Sequence, residues 1–294
     1  MAADVALALP ADESVRILAQ PTPLAAFWAT FRENRGAGFG LTVVGAVILV
    51  ALAADFIAPH SPIEQFREAV RWPPVWNPRG TWRFPLGTDG DGHDMLSRLI
   101  FGARVSLFIG VAVMSVSFVI GVALGLVCAF AGSIVDVVIT RTMDLIMAVP
   151  SLVLAVLVVA VLGPSLANTI IAVTIVYLPA YVRLARASAL GELNKDYVTA
   201  ARVVGVGPLR LAYATVLPNC LAPLIVQAAL GFLGLGAQPP TPEWGSMLAD
   251  SREFIRSDPW IVTLPGLAIL ITVVAINLTG DGLRDALDPK MRRG

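Results

Sequence analysis

Chemistry performed by this chain would need nucleophiles, bases or metal ligands in register, and the sequence holds few of them. It has two histidines, His60 and His93, and two cysteines, Cys128 and Cys220. Neither histidine falls in a metal-ligand spacing. The cysteines, one in an apolar run and one at the edge of another, outline neither a disulfide nor a metal framework. No Ser–His pair stands out for nucleophilic catalysis. ATP hydrolysis through a P-loop needs Gly-x-x-x-x-Gly-Lys-Ser/Thr. The only lysines are Lys195, after Asn194, and Lys290, after Pro289, so that loop is missing. The expectation is a chain with no catalytic residue, no metal and no bound cofactor. Arg141 and Asp144 stand three apart, a spacing that pairs charges on one helix face, and they read as structural. Asn277-Leu278-Thr279 matches a glycosylation sequon but falls where the chain should face the cytoplasm, so it reads as fortuitous.

The elements that position these residues are set by an unusual composition. Of 294 residues, 56% are hydrophobic and only 14% charged, with a mean hydropathy of +0.77. Soluble domains run near 45–50% apolar with about 25% charge. The surplus needs lipid as part of its solvent. A formal net charge of zero gives no support to a nucleic-acid partner, which would show as a basic patch. The N-terminus mixes Asp4, Asp12, Glu13, Arg16, Arg32, Glu33 and Arg35 with short apolar pieces, unlike a cleaved signal with basic residues just before a short apolar core.

A helix needs roughly 20 apolar residues to cross the hydrocarbon. Six stretches meet or approach this: Phe39–Ala58, Val105–Ala131, Val135–Leu162, Leu166–Leu190, Leu209–Ala237 and Ile261–Leu278. All should be helical, because an open strand edge in lipid leaves backbone groups unpaired. The fold class expected is therefore all-α and polytopic, with about six membrane-spanning helices. Arginines at 16, 32, 35, 141, 183–210 and 284–293 favour cytoplasmic N- and C-termini. The segments then divide as an inner N-terminal stretch (1–38), a first span (39–58) and an outer loop with an amphipathic helix (59–104). A membrane core follows (105–280), carrying an inner loop at 190–210, and an inner tail ends the chain (281–294).

The inner loop reads GELNKDYVTAARVVGVGPLRLAYATVLPN from Gly191. Asn194 and Asp196 can start a helix, while Gly205, Gly207 and Pro208 stop it. Tyr197, Ala200, Ala201 and Val204 would lie on neighbouring faces of about three turns. Small alanines admit a second surface, and Tyr197 can anchor it, as in helix-in-groove docking. From these features alone a solvated linker between two spans is the competing reading.

These residues resemble a known family. Ala200-Ala201, Gly205 and Leu217-Pro218 are similar to the EAA loop of binding-protein-dependent ABC transporter permeases. The likeness is closer to the dipeptide, oligopeptide and nickel branch, and within it to the C-type permease. It rests on four motifs: LGTDGDGHDMLSRLIFGARVSL (Leu86–Leu107), DYVTAARVVGVG (Asp196–Gly207), FLGLGAQPPTPEWGSML (Phe232–Leu248) and NLTGDGLRDALDP (Asn277–Pro289). The resemblance implies a bacterial inner-membrane importer subunit whose coupling helix holds Asp196, Tyr197, Ala200, Ala201, Arg202 and Gly205. It implies as partners a second, B-type permease, two ATPase subunits that bind ATP and Mg, and an extracytoplasmic solute-binding protein. Alternating access driven by the ATPases would be the mechanism, with peptides the expected solute and nickel or glutathione the alternatives.

Two departures accompany the likeness. His93 stands where relatives carry Arg. Relatives also place a longer stretch between the Pro-Asn pair, here Pro218-Asn219, and the motif at Phe232, which would make the fifth helix start early and accept Pro218 and Pro223 as kinks. Among the remaining motifs, Pro239, Pro240 and Trp244 form a stiff outer loop that either meets the solute-binding protein or caps the bundle. Asp281, Arg284, Asp285 and Asp288 either touch the ATPase or end a helix in solvent. A secondary transporter would show internal repeats and ionisable groups deep in its spans, and an intramembrane enzyme would place its histidines there. Neither pattern is evident.

Overall fold

The computed structural model describes residues 23–221, 224 and 243–287. Among these the chain is helical, with no strand beyond a single bridge between Thr88 and Asp94. We number the helices α1 (Pro23–Glu33), α2 (Arg35–Leu52), α3 (Met95–Phe130), α4 (Ser133–Ala148), α5 (Ser151–Leu162), α6 (Leu166–Leu193), α7 (Asp196–Val203), α8 (Trp244–Asp250) and α9 (Pro259–Leu287). Four of them, α2, α3, α6 and α9, are long and apolar enough to cross a membrane, and α4 with α5 adds a bent fifth candidate. The expected fifth span, Leu209–Ala237, is described only in its first turns, and Pro239 and Pro240 lie outside the described residues.

Helix starts follow their caps. Asn34 accepts from Ala37 N at 3.1 Å to open α2. Asp94 accepts from Ser97 N at 3.1 Å to open α3, and Ser165 from Asn168 N at 3.1 Å to open α6. At 36 residues α3 is about 54 Å long, well beyond the roughly 30 Å hydrocarbon core. Part of it therefore extends beyond the hydrocarbon. The expected amphipathic segment and second span are one continuous helix, with Ser97 and Arg98 buried at the start.

The third expected span is broken. α4 and α5 meet at a bend of 95°. Pro150 lacks an N–H and disfavours helical geometry at the residue before it. Val149 accordingly turns extended, with φ −90° and ψ 132°. α3 and α6 run parallel, Ile109 level with Val173 and Gly125 with Ala185, and pack at small residues. A Cβ at Gly125 would come within 2.5 Å of Ala185 Cβ, so these backbones approach as closely as glycine permits.

Candidate functional site: the Gly205 end of the bundle

The two ends of the bundle differ in kind. The tryptophan end carries segment 59–94 and α8, with Trp72, Trp76, Trp82, Trp244 and Trp260. The Gly205 end carries α7, the start of α4 and the junction of α2 with α9, where Asn34 Nδ2 donates to Asp285 Oδ2 at 3.2 Å.

At the Gly205 end, α6 stops at Asn194, whose Nδ2 donates to Leu190 O at 3.1 Å. The helix that follows is Asp196–Val203. Its N-cap is Lys195, which makes no side-chain cap, so the expected capping by Asn194 or Asp196 gives way to Asn194 ending the previous helix. Its other end is a Schellman motif. Gly205, at φ +85°, donates to Arg202 O at 2.9 Å, and Val206 N donates to Ala201 O at 3.1 Å. This left-handed turn is the reason for glycine at position 205.

Val198 is fully buried and plugs α7 into a cluster of Val122 and Leu126 of α3, Ala185 and Ala189 of α6, and Leu211, Val216 and Cys220 beyond the loop. Ala201 packs against the same cluster. The opposite face is bare: Asp196, Tyr197, Ala200 and Arg202 are exposed, Val203 and Val204 each by 83%. Leu209 and Tyr213 continue this apolar exposure onto the next helix, whose backbone takes a π-helical turn at Leu211–Val216 just ahead of Pro218. Sequence reasoning named the alanines and Tyr197 but missed Val203 and Leu209 as surface, because an apolar residue in a membrane protein carries no mark of which solvent it faces. Although its ring is partly exposed, the Tyr197 hydroxyl sits against Glu192, and desolvation there with the hydrogen bond to that carboxylate pushes it up to about 12.

Ion pairs tie this end together. Arg186 grips Asp136 through two contacts of 2.5 Å, the bidentate arrangement that guanidinium favours. Arg183 reaches Asp144 at 2.6 Å. The expected partner of Asp144, Arg141, lies farther away at 3.7 Å and is largely exposed.

The tryptophan end is built from polar side chains buried with partners. Thr88 Oγ1 accepts from Trp72 N at 2.8 Å and donates to Ala69 O. Asp94 Oδ2 accepts from Ser97 Oγ at 2.6 Å and faces His60 Nδ1 at 3.3 Å. Burial works against the charge of Asp89, but the bond to His93 and the guanidinium of Arg98 outweigh it, so its carboxyl sits below the ordinary value of 3.8. Trp244 is only 6% exposed, and its indole N–H donates to Leu99 O at 2.9 Å. The structure thus places Trp244 in the interior of this end, apart from any free surface, where it joins α8 to α3. A cavity of about 540 Å³ here is lined by Asp89, Asp91, Arg98, Asp250 and Glu253.

Comparison with known proteins decides the family. Residues 121–293 match the binding-protein-dependent transport system inner membrane component family. The chain belongs to this family. Residues 22–74 match the N-terminal transmembrane domain of oligopeptide transport permease C. The chain is 54% identical to the di/tripeptide transport system permease protein DppC of Pseudomonas aeruginosa, over 94% of its own length and 95% of the relative's. It is 53% identical to the dipeptide transport system permease protein DppC of Escherichia coli K12, over 92% and 95% of the two chains. With the Haemophilus influenzae protein of that name it shares 48% identity over 94% and 97%. An inner-membrane permease of the ABC importer kind is thereby established, in keeping with its apolar helices.

Proposed function

We propose that this permease imports dipeptides and tripeptides, and that it docks its ATPase partner through α7 and the adjoining apolar ridge. The solute class rests on relatives named as dipeptide and di/tripeptide transport permeases, at 48–54% identity over nearly the full chain. The docking site rests on one observation above all: an eight-residue helix anchored by fully buried Val198 presents Val203 and Val204 bare at its tip. Exposed apolar side chains at the end of a bundle mark an interaction surface. In this reading the Gly205 end, with both termini, faces the cytoplasm, and the tryptophan end faces outward, its aromatics at the level where such rings favour the membrane–water interface. A second permease completes the translocation path, two ATPase subunits supply ATP and Mg chemistry, and a solute-binding protein delivers cargo to the outer end.

The alternative solutes, nickel and glutathione, are separated from peptides by uptake into liposomes holding the full assembly. ATP-dependent accumulation of a labelled dipeptide supports the reading. Accumulation of nickel or glutathione with no dipeptide uptake contradicts it. Docking is tested by recovery of ATPase subunits with tagged permease, comparing the parent with the Val203→Asp, Val204→Asp double variant. Both side chains point into solvent, so loss of recovery reports contact and not collapse.

A further inference from the structure

α7 is too short to hold its own direction, since isolated helices below about 12–15 residues are marginal in water. It also lacks a side-chain N-cap. Packing of Val198 and Ala201, already described, fixes it to the rest of the chain. A polar attachment is added by Glu192, in the last turn of α6. Its Oε1 accepts from Lys195 Nζ at 2.6 Å and its Oε2 accepts from Tyr197 OH. Glu192 is largely buried, at 13% side-chain exposure, while Lys195 remains 56% exposed. One carboxylate thus holds the residue just before α7 and a residue in its first turn, across the break at Asn194. Charge-assisted bonds of this kind are about twice as strong as neutral ones.

From this geometry we infer that Glu192 is a positioning residue that locks α7 to α6, so that displacement of α7 is carried into the membrane and not lost by swivelling at Asn194. The inference rests on the docking role proposed above. The path beyond Glu192 is continuous. α6 is bound to α4 by the Arg186–Asp136 and Arg183–Asp144 pairs and meets α3 at the Ala185–Gly125 contact. α4 leads directly to the 95° bend before α5. A push on the tip of α7 therefore reaches the broken span through ion pairs and packed backbone, provided the joint at Asn194 is stiff. Glu192 supplies that stiffness.

The test uses the full assembly of permeases, ATPases and binding protein in liposomes. Two quantities are read for each variant: ATPase recovered with the permease, and labelled dipeptide imported per ATP hydrolysed. Glu192→Ala is expected to keep parental ATPase recovery while import per ATP falls roughly fivefold or more, the range of ordinary coupling energies. Tyr197→Phe keeps the ring and loses one bond, and is expected to lower the ratio about threefold. Glu192→Gln, which retains an acceptor, should fall between the parent and Glu192→Ala. The inference is overturned if Glu192→Ala imports with the parental ratio. It is equally overturned if Glu192→Ala loses ATPase recovery while Tyr197→Phe matches the parent in ratio, since Glu192 would then act only in folding. Failure of the docking reading is recognised separately, because the unsubstituted chain would already recover no ATPase, and the lock would then have nothing to transmit.

Discussion

The two ends of this molecule solve opposite problems with different side chains. The tryptophan end has little regular structure between residues 59 and 94, yet it buries Thr88, Asp94, Ser97 and most of Arg98. Much of its order is side chain to backbone: Thr88 to Ala69 and Trp72, Asp94 to Ser97, Trp244 to Leu99. Rings of His60, Phe66, Trp72 and Phe84 meet edge to face around it, with Arg83 over two of them. The Gly205 end is mostly helix, with positive-φ glycines at Gly132 and Gly205, and it leaves apolar side chains bare. The tryptophan end pairs most of its buried polar side chains within the chain, leaving Asp94 Oδ1, Arg98 Nε and Trp260 Nε1 without a hydrogen-bond partner among the described residues. A rigid surface that leaves valines in water is complete only with a partner.

The largest expected effect breaks the Gly205 end. Val203→Asp with Val204→Asp should reduce recovered ATPase at least tenfold, measured by affinity purification in mild detergent. Thermal stability of the isolated permease should change by no more than about 0.5 kcal/mol, as for ordinary surface changes. Next come substitutions at the tryptophan end, which should do the reverse. Asp94→Ala removes the cap of α3 and strands Ser97 and His60, a loss of about 2–3 kcal/mol, readable by thermal unfolding, while ATPase recovery from the folded fraction stays at the parental level.

Asp89 sharpens the same contrast through pH. Its carboxyl is held below 3.8 in the fold, so its contribution to stability is complete above the unfolded value and is lost as pH falls through the folded one. The gap in melting temperature between parent and Asp89→Asn should therefore be constant near neutrality and close only in acid below about pH 4. Gly205→Ala ranks third. Nothing lies within 4 Å of a Cβ at that position, so its cost is the left-handed backbone alone, about 1 kcal/mol, with Gly205→Asn milder. The smallest effect has the opposite sign. Burial, followed by the charges of Asp91 and Asp89, outweighs Arg98 and raises the Asp250 carboxyl above 3.8. Its charged form is thus disfavoured in the fold, the associated stability is lost as pH rises, and Asp250→Asn should melt slightly higher than the parent at neutral pH.

Much of the fold could be read from hydropathy, because long apolar runs have only one way to satisfy their backbone in lipid. The limits of α7 were legible for a different reason: Gly205 and Pro208 are local signals with fixed backbone consequences. What escaped the sequence was direction. The third span read as one run, Val135–Leu162, because hydropathy is the same whether the chain continues straight or turns through 95° ahead of Pro150. The partner of Asp144 was sought three residues away at Arg141, yet the closer cation is Arg183 from another helix, a choice made only by packing of α4 on α6. Trp244 read either as a docking residue or as part of a stiff cap beside prolines, and the carbonyl of Leu99 that receives its N–H is 145 positions away. Glu192 was visible as a charged residue in the loop, but nothing in its neighbours marked it as the acceptor for both Lys195 and Tyr197.

The most direct test of the contrast places one cysteine at each end, at positions matched for exposure: Val204, 83% exposed, and Trp82, 84% exposed. The complete transporter would be expressed in cells and treated with a membrane-impermeant maleimide from outside, then with a short bifunctional cross-linker after lysis. The account predicts that Val204→Cys is shielded from the outside reagent and cross-links to an ATPase subunit, while Trp82→Cys is labelled from outside and never captures the ATPase. Outside labelling of Val204→Cys, or ATPase captured by Trp82→Cys, would contradict it.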